Sequence, residues 1–322
     1  MKKKLVMLGL LAGVAALSML LTACGQDETT KKKLVVGFSQ IGAESAWRTA
    51  NTTSIKDEAE KRGMALKFSD AQQKQENQIK AIRSFIAQGV DVIAFSPVVE
   101  TGWEPVLKEA KRAKIPVILS DRSVEVSDPS LYVTFIGSDF VEEGRRAGQW
   151  LAETTGGKAQ IAELVGTPGA APAIDRKKGF EEVIAEYPEM QIIKSQSGDF
   201  TRAKGKEVME AFLKSPEGNT ITALYAHNDD MALGAIQAIE EAWKKPGKDI
   251  VIVSIDGVRG AFEAMVAGKL NCTVECNPLI GPQLFDVIEN ITDGKEVAKR
   301  VVSEEGVYDQ TQAAKALPKR KY

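Results

Sequence analysis

The chain has 322 residues, 43% hydrophobic and 27% charged, with a formal net charge of −2. That is enough for two lobes with proper cores, at a composition ordinary for a soluble globular protein. With no basic excess, the balance speaks against nucleic acid or an anionic membrane surface as a partner.

The first residues lie outside that globule. "MKKK" is a positive n-region, "LVMLGLLAGVAALSMLL" is an apolar run, and the run ends at "LTAC", Leu21 to Cys24. Small residues before a Cys, directly after an apolar stretch, match a bacterial lipoprotein signal. We expect residues 1–23 to be the signal peptide, Cys24 to be the lipidated N-terminus after cleavage, and residues 24–33 to form a polar tether. An ordinary signal peptide with a chance Cys, or a single-span anchor, is the alternative. The mature protein is then extracytoplasmic and hangs by acyl chains from a membrane, at the outer face of the cytoplasmic membrane or in the periplasm, with its body in water.

From Leu34 short apolar runs alternate with amphipathic stretches. "LVVGF" is a strand, "ESAWRTANTTSIKDEAEKRG" a helix closed by Gly63, and "MALKFSD" a strand. In "QENQIKAIRSFIAQG" Ile79, Ile82, Phe85 and Ile86 fall on one helical face. "VDVIAFSP", the helix "GWEPVLKEAKRAK", and the strands "IPVILSDR" and "SLYVTFIGSD" follow. The pattern then restarts: helix "EEGRRAGQWLAETTGG", strand "AQIAELVG", helix "PAIDRKKGFEEVIAEYP", strand "MQIIKSQSG", helix "TRAKGKEVMEAFLKS", strand "ITALYAHND". Helix "DMALGAIQAIEEA", strand "DIVIVSIDG", helix "VRGAFEAMVAGK", strand "LNCTVECNP" and helix "LIGPQLFDVIENITDGK" complete it. Such alternation predicts an α/β fold, each lobe a parallel sheet flanked by helices. In "NCTVECNP", Cys272 and Cys276 are four extended residues apart, roughly 13 Å and too far for a disulfide. Two free, buried thiols are expected.

The halves share a plan. "NQIKAIRSFIAQGVDVIAFSP" parallels "GKEVMEAFLKSPEGNTITALYAHND", and "EAKRAKIPVILSDR" parallels "EAWKKPGKDIVIVSIDG". Ligands of open parallel sheets bind beyond the carboxyl ends of the strands. Those ends carry Ser39, Gln40, Ser96, Asp121, Arg122, Asn228 and Asp256. Carboxylates accept, and guanidinium groups donate, paired hydrogen bonds to vicinal hydroxyls. Trp47 offers a ring for the apolar face of a sugar. The inventory suits a neutral polyol, and the two Asp would repel an anion.

The competing chemistries are weaker. His227, the sole histidine, lacks the partners for a metal site, and two Cys do not complete one, so no metal or other cofactor is expected. Asp229 and Asp230 stand where acidic residues complement a helix N-terminus. An acid–base pair of Asp121 and Asp256 is conceivable, but Arg122 and Arg176 are expected to keep both ionised, which suits recognition rather than proton transfer. No phosphate or dinucleotide motif occurs. No enzyme is expected.

"GFSQIGAESAWRTA", "TGWEPVLKEAKRAKIPV", "AIDRKKGFEE", "SQSGDFTRAKGKEVMEAF" and "YAHNDDMALGAIQAI" resemble galactofuranose-binding members of the ribose/galactose-type periplasmic binding protein family, over nearly all of residues 34–282. The resemblance implies a two-lobed type I fold joined by a three-crossover hinge. The first lobe would comprise residues 34–138 plus about 278–302, the second 139–277 plus about 303–322. It implies ligand contacts from Glu44, Ser45, Trp47, Arg48, Asp121, Arg122, Arg176, Asn228 and Asp256, beside Ser96 from the strand-end reading. It also implies a monosaccharide ligand, galactofuranose or a related sugar, delivered by a monomer to the permease subunits of an ABC importer. A sugar receptor serving a chemotaxis or sensor-kinase partner is the alternative. Many family members carry a polar side chain, often Gln, where this chain has Cys276.

Overall fold

The computed structural model describes residues 33–322; the lipoprotein signal and Cys24 lie outside the described residues. In chain order the first elements are β1 (Val35–Gln40), α1 (Ala46–Lys61), β2 (Ala65–Asp70), α2 (Gln75–Ala87), β3 (Val92–Phe95), α3 (Glu104–Arg112), β4 (Val117–Ser120) and β5 (Thr134–Gly137). Then come α4 (Phe140–Thr155), β6 (Lys158–Val165), α5 (Ala171–Ile184), β7 (Glu189–Ser197), α6 (Arg202–Lys214), β8 (Ala223–Ala226), α7 (Asp229–Glu241), β9 (Val251–Asp256), α8 (Arg259–Val266) and β10 (Cys272–Glu275). The chain ends with α9 (Gly281–Thr292), β11 (Arg300–Val302), β12 (Val307–Asp309) and α10 (Gln310–Ala316).

Two sheets result. One has the order β11-β5-β4-β3-β1-β2 and is parallel throughout. The other has the order β12-β10-β9-β8-β6-β7, parallel except for β12, which runs antiparallel to β10. This is the two-lobed type I periplasmic-binding-protein fold. The central strands β3, β4 and β8 are buried at every residue, as apolar runs covered on both faces must be. The edge strand β2 is only partly buried and carries Lys67 and Asp70.

Helices cover both faces. Ile82 and Phe85 of α2 join Trp103 and Leu107 on one side of the first sheet, with Ile79 and Ile86 packed against them. On its other side Leu284, Phe285 and Ile288 of α9 meet Ile55 of α1 and Ile118 of β4, so a late segment completes an early core. The chain passes between sheets after β5, after β10 and between β11 and β12. Glu305 ties these passages together: its carboxylate accepts from the Ser138 hydroxyl and, at 2.9 Å, from the Asn277 N–H. In the second lobe α4 and α5 approach closely because glycine lines their contact. A Cβ on Gly144 would lie 2.2 Å from the Arg176 carbonyl oxygen, and one on Gly179 would lie 1.9 Å from that of Val141. That approach sets Glu143 of α4 beside Arg176 of α5. Cys272 and Cys276 are free and buried.

Candidate functional site

The carboxyl ends of both sheets face one small, closely lined cleft. From the first lobe it is lined by Glu44, Ser45, Trp47, Arg48, Asp121 and Arg122. The second lobe contributes Arg176, Asn228 and Asp256, together with Phe140, Pro172, Phe200 and Cys276. Nine of the ten residues expected from the sequence to contact a ligand therefore share one cavity wall. Ser96 does not line the cavity. It is fully buried, its N–H donates to the Ser39 carbonyl, and its own carbonyl accepts from Gln78, so it braces the loop that follows β3. Gln40 is likewise turned away, its amide donating to Asn51 and Thr52 of α1.

The first-lobe wall is one ionic network. Ser45 caps α1 by accepting from the Arg48 N–H, which fixes the turn carrying Trp47 and Arg48. Arg48 bridges Glu44 at 3.1 Å and Asp121 at 2.6 Å, and its guanidinium lies 4.5 Å from the Trp47 ring centre. Burial pulls the Arg48 pKa down, but the charges of Asp121 and Glu44 outweigh it, and Arg48 ends above its ordinary value. Burial, and then the charge of Arg48, pull Arg122 down to about 10. Three polar atoms of this wall are buried without a hydrogen-bond partner: Glu44 Oε2, Arg48 Nη1 and Arg122 Nε, the last standing 3.7 Å from Asp121 Oδ2.

The second-lobe wall is organised by Arg176. It donates through Nε to Glu143 at 2.7 Å and through Nη1 to the His227 carbonyl at 2.5 Å, while Nη2 stands 3.5 Å from Asp256. At Asp256 burial drives the pKa well above the usual carboxylate range, with the charge of Arg176 opposing it; the closer contact of Arg176, at 2.7 Å, goes to Glu143. Glu143, which no sequence pattern singles out, is a positioning group for Arg176.

In the "HNDD" run Asp229 and Asp230 fall in the first turn of α7, as expected of acidic residues at a helix N-terminus. The cap itself is Asn228: its Oδ1 accepts from the Met231 N–H at 3.0 Å and its Nδ2 donates to the Phe200 carbonyl at 3.1 Å. The buried strand β8 ends here in extended backbone, which leaves Asn228 as the last non-helical residue. Asp229 turns into the lobe and accepts from Ser254, Thr273 and the Val258 N–H. Asp230 reaches across the cleft to accept from the Ala46 N–H at 2.7 Å, and it pairs with Arg202. His227 is buried, and burial lowers its pKa, so the ring is neutral. Its Nδ1 faces the Gly166 N–H and its Nε2 faces Glu163 at 3.2 Å, a packed role within the lobe.

Two more contacts close the lobes on each other. The Trp47 indole N–H donates to the Cys276 carbonyl at 2.6 Å, and the Glu100 N–H donates to the Gly169 carbonyl at 3.0 Å. Backbone strain gathers at this cleft. Asp121, Phe200 and Asp256 have φ of 68°, 59° and 134°, a region L-residues rarely adopt and which concentrates at functional sites.

A profile of the periplasmic binding protein domain matches residues 36–296, and the chain belongs to that family of extracytoplasmic binding proteins. It is 55% identical over 291 residues to the galactofuranose-binding protein YtfQ of Escherichia coli (strain K12), covering 89% of this chain and 92% of that one. Among solved structures it is similar to the periplasmic binding protein component of the arabinose ABC transporter from Shewanella sp. ANA-3, bound to α- and β-L-arabinofuranose. Identity there is 59%, TM-score 0.87, and coverage 89% of this chain and 95% of that one. A structure from Mycobacterium smegmatis in complex with β-D-fucofuranose shows 57% identity and TM-score 0.87, covering 90% and 95%.

Proposed function

We propose that this chain captures a monosaccharide in furanose form between its lobes and presents it to the permease of an ABC importer. The observation that carries the proposal is the set of buried polar atoms on the cleft wall that lack a hydrogen-bond partner, Glu44 Oε2, Arg48 Nη1 and Arg122 Nε. A buried polar atom without a partner is costly, so a wall built of them is a wall built for a guest with hydroxyl groups. Trp47, Phe140 and Phe200 supply apolar surface for the ring faces and Asp121, Arg122, Arg176, Asn228 and Asp256 supply the hydrogen bonds.

The three relatives named above share a five-membered sugar ring, which supports the furanose form. The guest contacts both lobes at once, so it favours the closed arrangement by differential affinity, with movement about the three passages near Ser138, Cys276 and Glu305. Nothing in the site performs chemistry on the sugar. Cys24 carries the lipid that keeps the protein at the membrane.

Incubation with radiolabelled L-arabinose and D-galactose tests this. A stoichiometric complex that releases unchanged sugar, with a smaller radius of gyration on saturation, is expected. Converted sugar, or no binding of either, refutes it. For the anchor, labelled palmitate attaches to the wild-type chain and not to Cys24→Ser; equal labelling of both refutes that part.

A further inference from the structure

Far from the cleft residues, the turn that ends α7 carries a feature that packing does not explain. Trp243 is 95% exposed, against 46–52% for Ile174, Val266 and Val302, the other exposed large hydrophobics. It also stands in left-handed backbone, φ 60°. The helix ends in a Schellman arrangement: the Trp243 N–H donates to the Glu240 carbonyl at 2.9 Å and the Lys244 N–H to the Ile239 carbonyl at 3.1 Å. Trp243 thus occupies the position that backbone sterics reserve for glycine. The chain places a large apolar ring there and holds it in water.

The turn is not loose. The Lys245 N–H donates to Asp249 Oδ2 at 2.7 Å, the Asp249 N–H returns to the Lys245 carbonyl at 2.8 Å, and Asn271 Nδ2 holds the Gly247 carbonyl at 3.0 Å. Lys244, Lys245 and Lys248 form no ion pair among the described residues. The carboxylates at the end of α7 are already engaged, Glu240 by Lys269 at 2.8 Å and Glu241 by Lys206 at 2.7 Å. An outward indole, followed within five residues by three lysines that make no ion pair among the described residues, is left on a chain whose net charge is −2.

We propose that the Trp243–Lys248 turn is a membrane-contact site for a bilayer rich in anionic lipid, with the indole at headgroup level and the three lysines facing phosphates. The indole is an interface-seeking side chain, and lysines on flexible stems suit a diffuse anionic surface better than a carboxylate of fixed geometry. Because the body as a whole is acidic, the turn would select which face of the molecule meets the lipid.

The test uses the full chain, wild type and Trp243→Gly, with vesicles of phosphatidylglycerol or phosphatidylcholine, each with and without bromine on the acyl chains. The N-terminal segment is common to both proteins, and glycine accepts the left-handed turn without strain. Unchanged circular dichroism and sugar binding check the fold of each variant. Brominated phosphatidylglycerol is expected to quench the wild-type emission beyond that of Trp243→Gly, with no such difference in phosphatidylcholine. Replacing Lys244, Lys245 and Lys248 together by Gln should weaken that contact about a hundredfold, from about fivefold per lysine. Equal quenching of wild type and Trp243→Gly overturns the proposal, and so does shielding of the indole that needs a protein partner rather than lipid.

Discussion

Asp121→Asn isolates the charge of one cleft carboxylate while keeping its shape. The residue sits at φ 68°, where Asn is among the few side chains tolerated, so the backbone after β4 should hold. Asp121 Oδ2 is committed to Arg48 at 2.6 Å, and among the described residues nothing donates to Oδ1, which leaves that oxygen for a sugar hydroxyl. An amide can turn its oxygen to Arg48 or to the sugar but not to both, so one charged hydrogen bond is lost. Such a bond is worth about 1.5–3 kcal/mol, which is a loss of affinity of about 10- to 150-fold. Arg48 keeps Glu44 at 3.1 Å, so the lobe should remain folded. Isothermal titration with L-arabinose at pH 7, beside circular dichroism of the free protein, measures both. A folded variant within threefold of wild-type affinity would show that Asp121 does not contact the sugar.

Three further outcomes follow from particular contacts. Asp230→Ala removes the acceptor for the Ala46 N–H across the cleft without touching the sugar; dissociation should quicken about fivefold, for about 1 kcal/mol, and Asp230→Asn should restore it, as read by stopped-flow fluorescence. Burial raises Asp229 to about 7 and Glu305 to about 8, above their unfolded values. The folded protein therefore binds more protons than the unfolded chain between about pH 4 and 8, and stability should fall as pH rises through that window, by up to about 1.4 kcal/mol per pH unit for each group. Asp229→Asn should flatten the denaturant-midpoint profile below about pH 7; a profile that still falls as steeply contradicts the assignment. Cys276 lines the cleft whereas Cys272 is buried within the second lobe, so sugar should slow iodoacetamide labelling of Cys276, with Cys272 unlabelled throughout; equal rates with and without sugar would argue against closure over this thiol.

Much of the site was legible because one rule governs it. In a parallel sheet the strand ends face the ligand, and Asp121, Arg122, Asn228 and Asp256 could be found by noting where apolar runs stop. The same rule extends to the loops just past those ends, and it would have found Phe140 after β5, Pro172 after β6 and Phe200 after β7, had apolar residues been sought as well as polar ones. Ser96 met the rule and still turned away, because its loop is spent on backbone contacts to Ser39 and Gln78. Glu143 was out of reach of any local pattern. It sits in mid-helix, and only the glycine-mediated approach of α4 to α5 brings it to Arg176. The surroundings of Asp256 were hidden for a related reason: sequence shows that an arginine is near but not that its shorter bond goes to another carboxylate. Which of His227, Asn228, Asp229 and Asp230 caps the helix and which spans the cleft was decided by where α7 begins, a boundary that sequence locates only to within a residue or two.

The account rests on a sugar held between the two sheet edges. A crystal grown with D-galactose should show a five-membered ring within hydrogen-bonding distance of both Asp121 of the first lobe and Arg176 or Asp256 of the second. A six-membered ring there would contradict the furanose assignment, and a cleft without sugar while density for it lies elsewhere on the molecule would contradict the binding site itself.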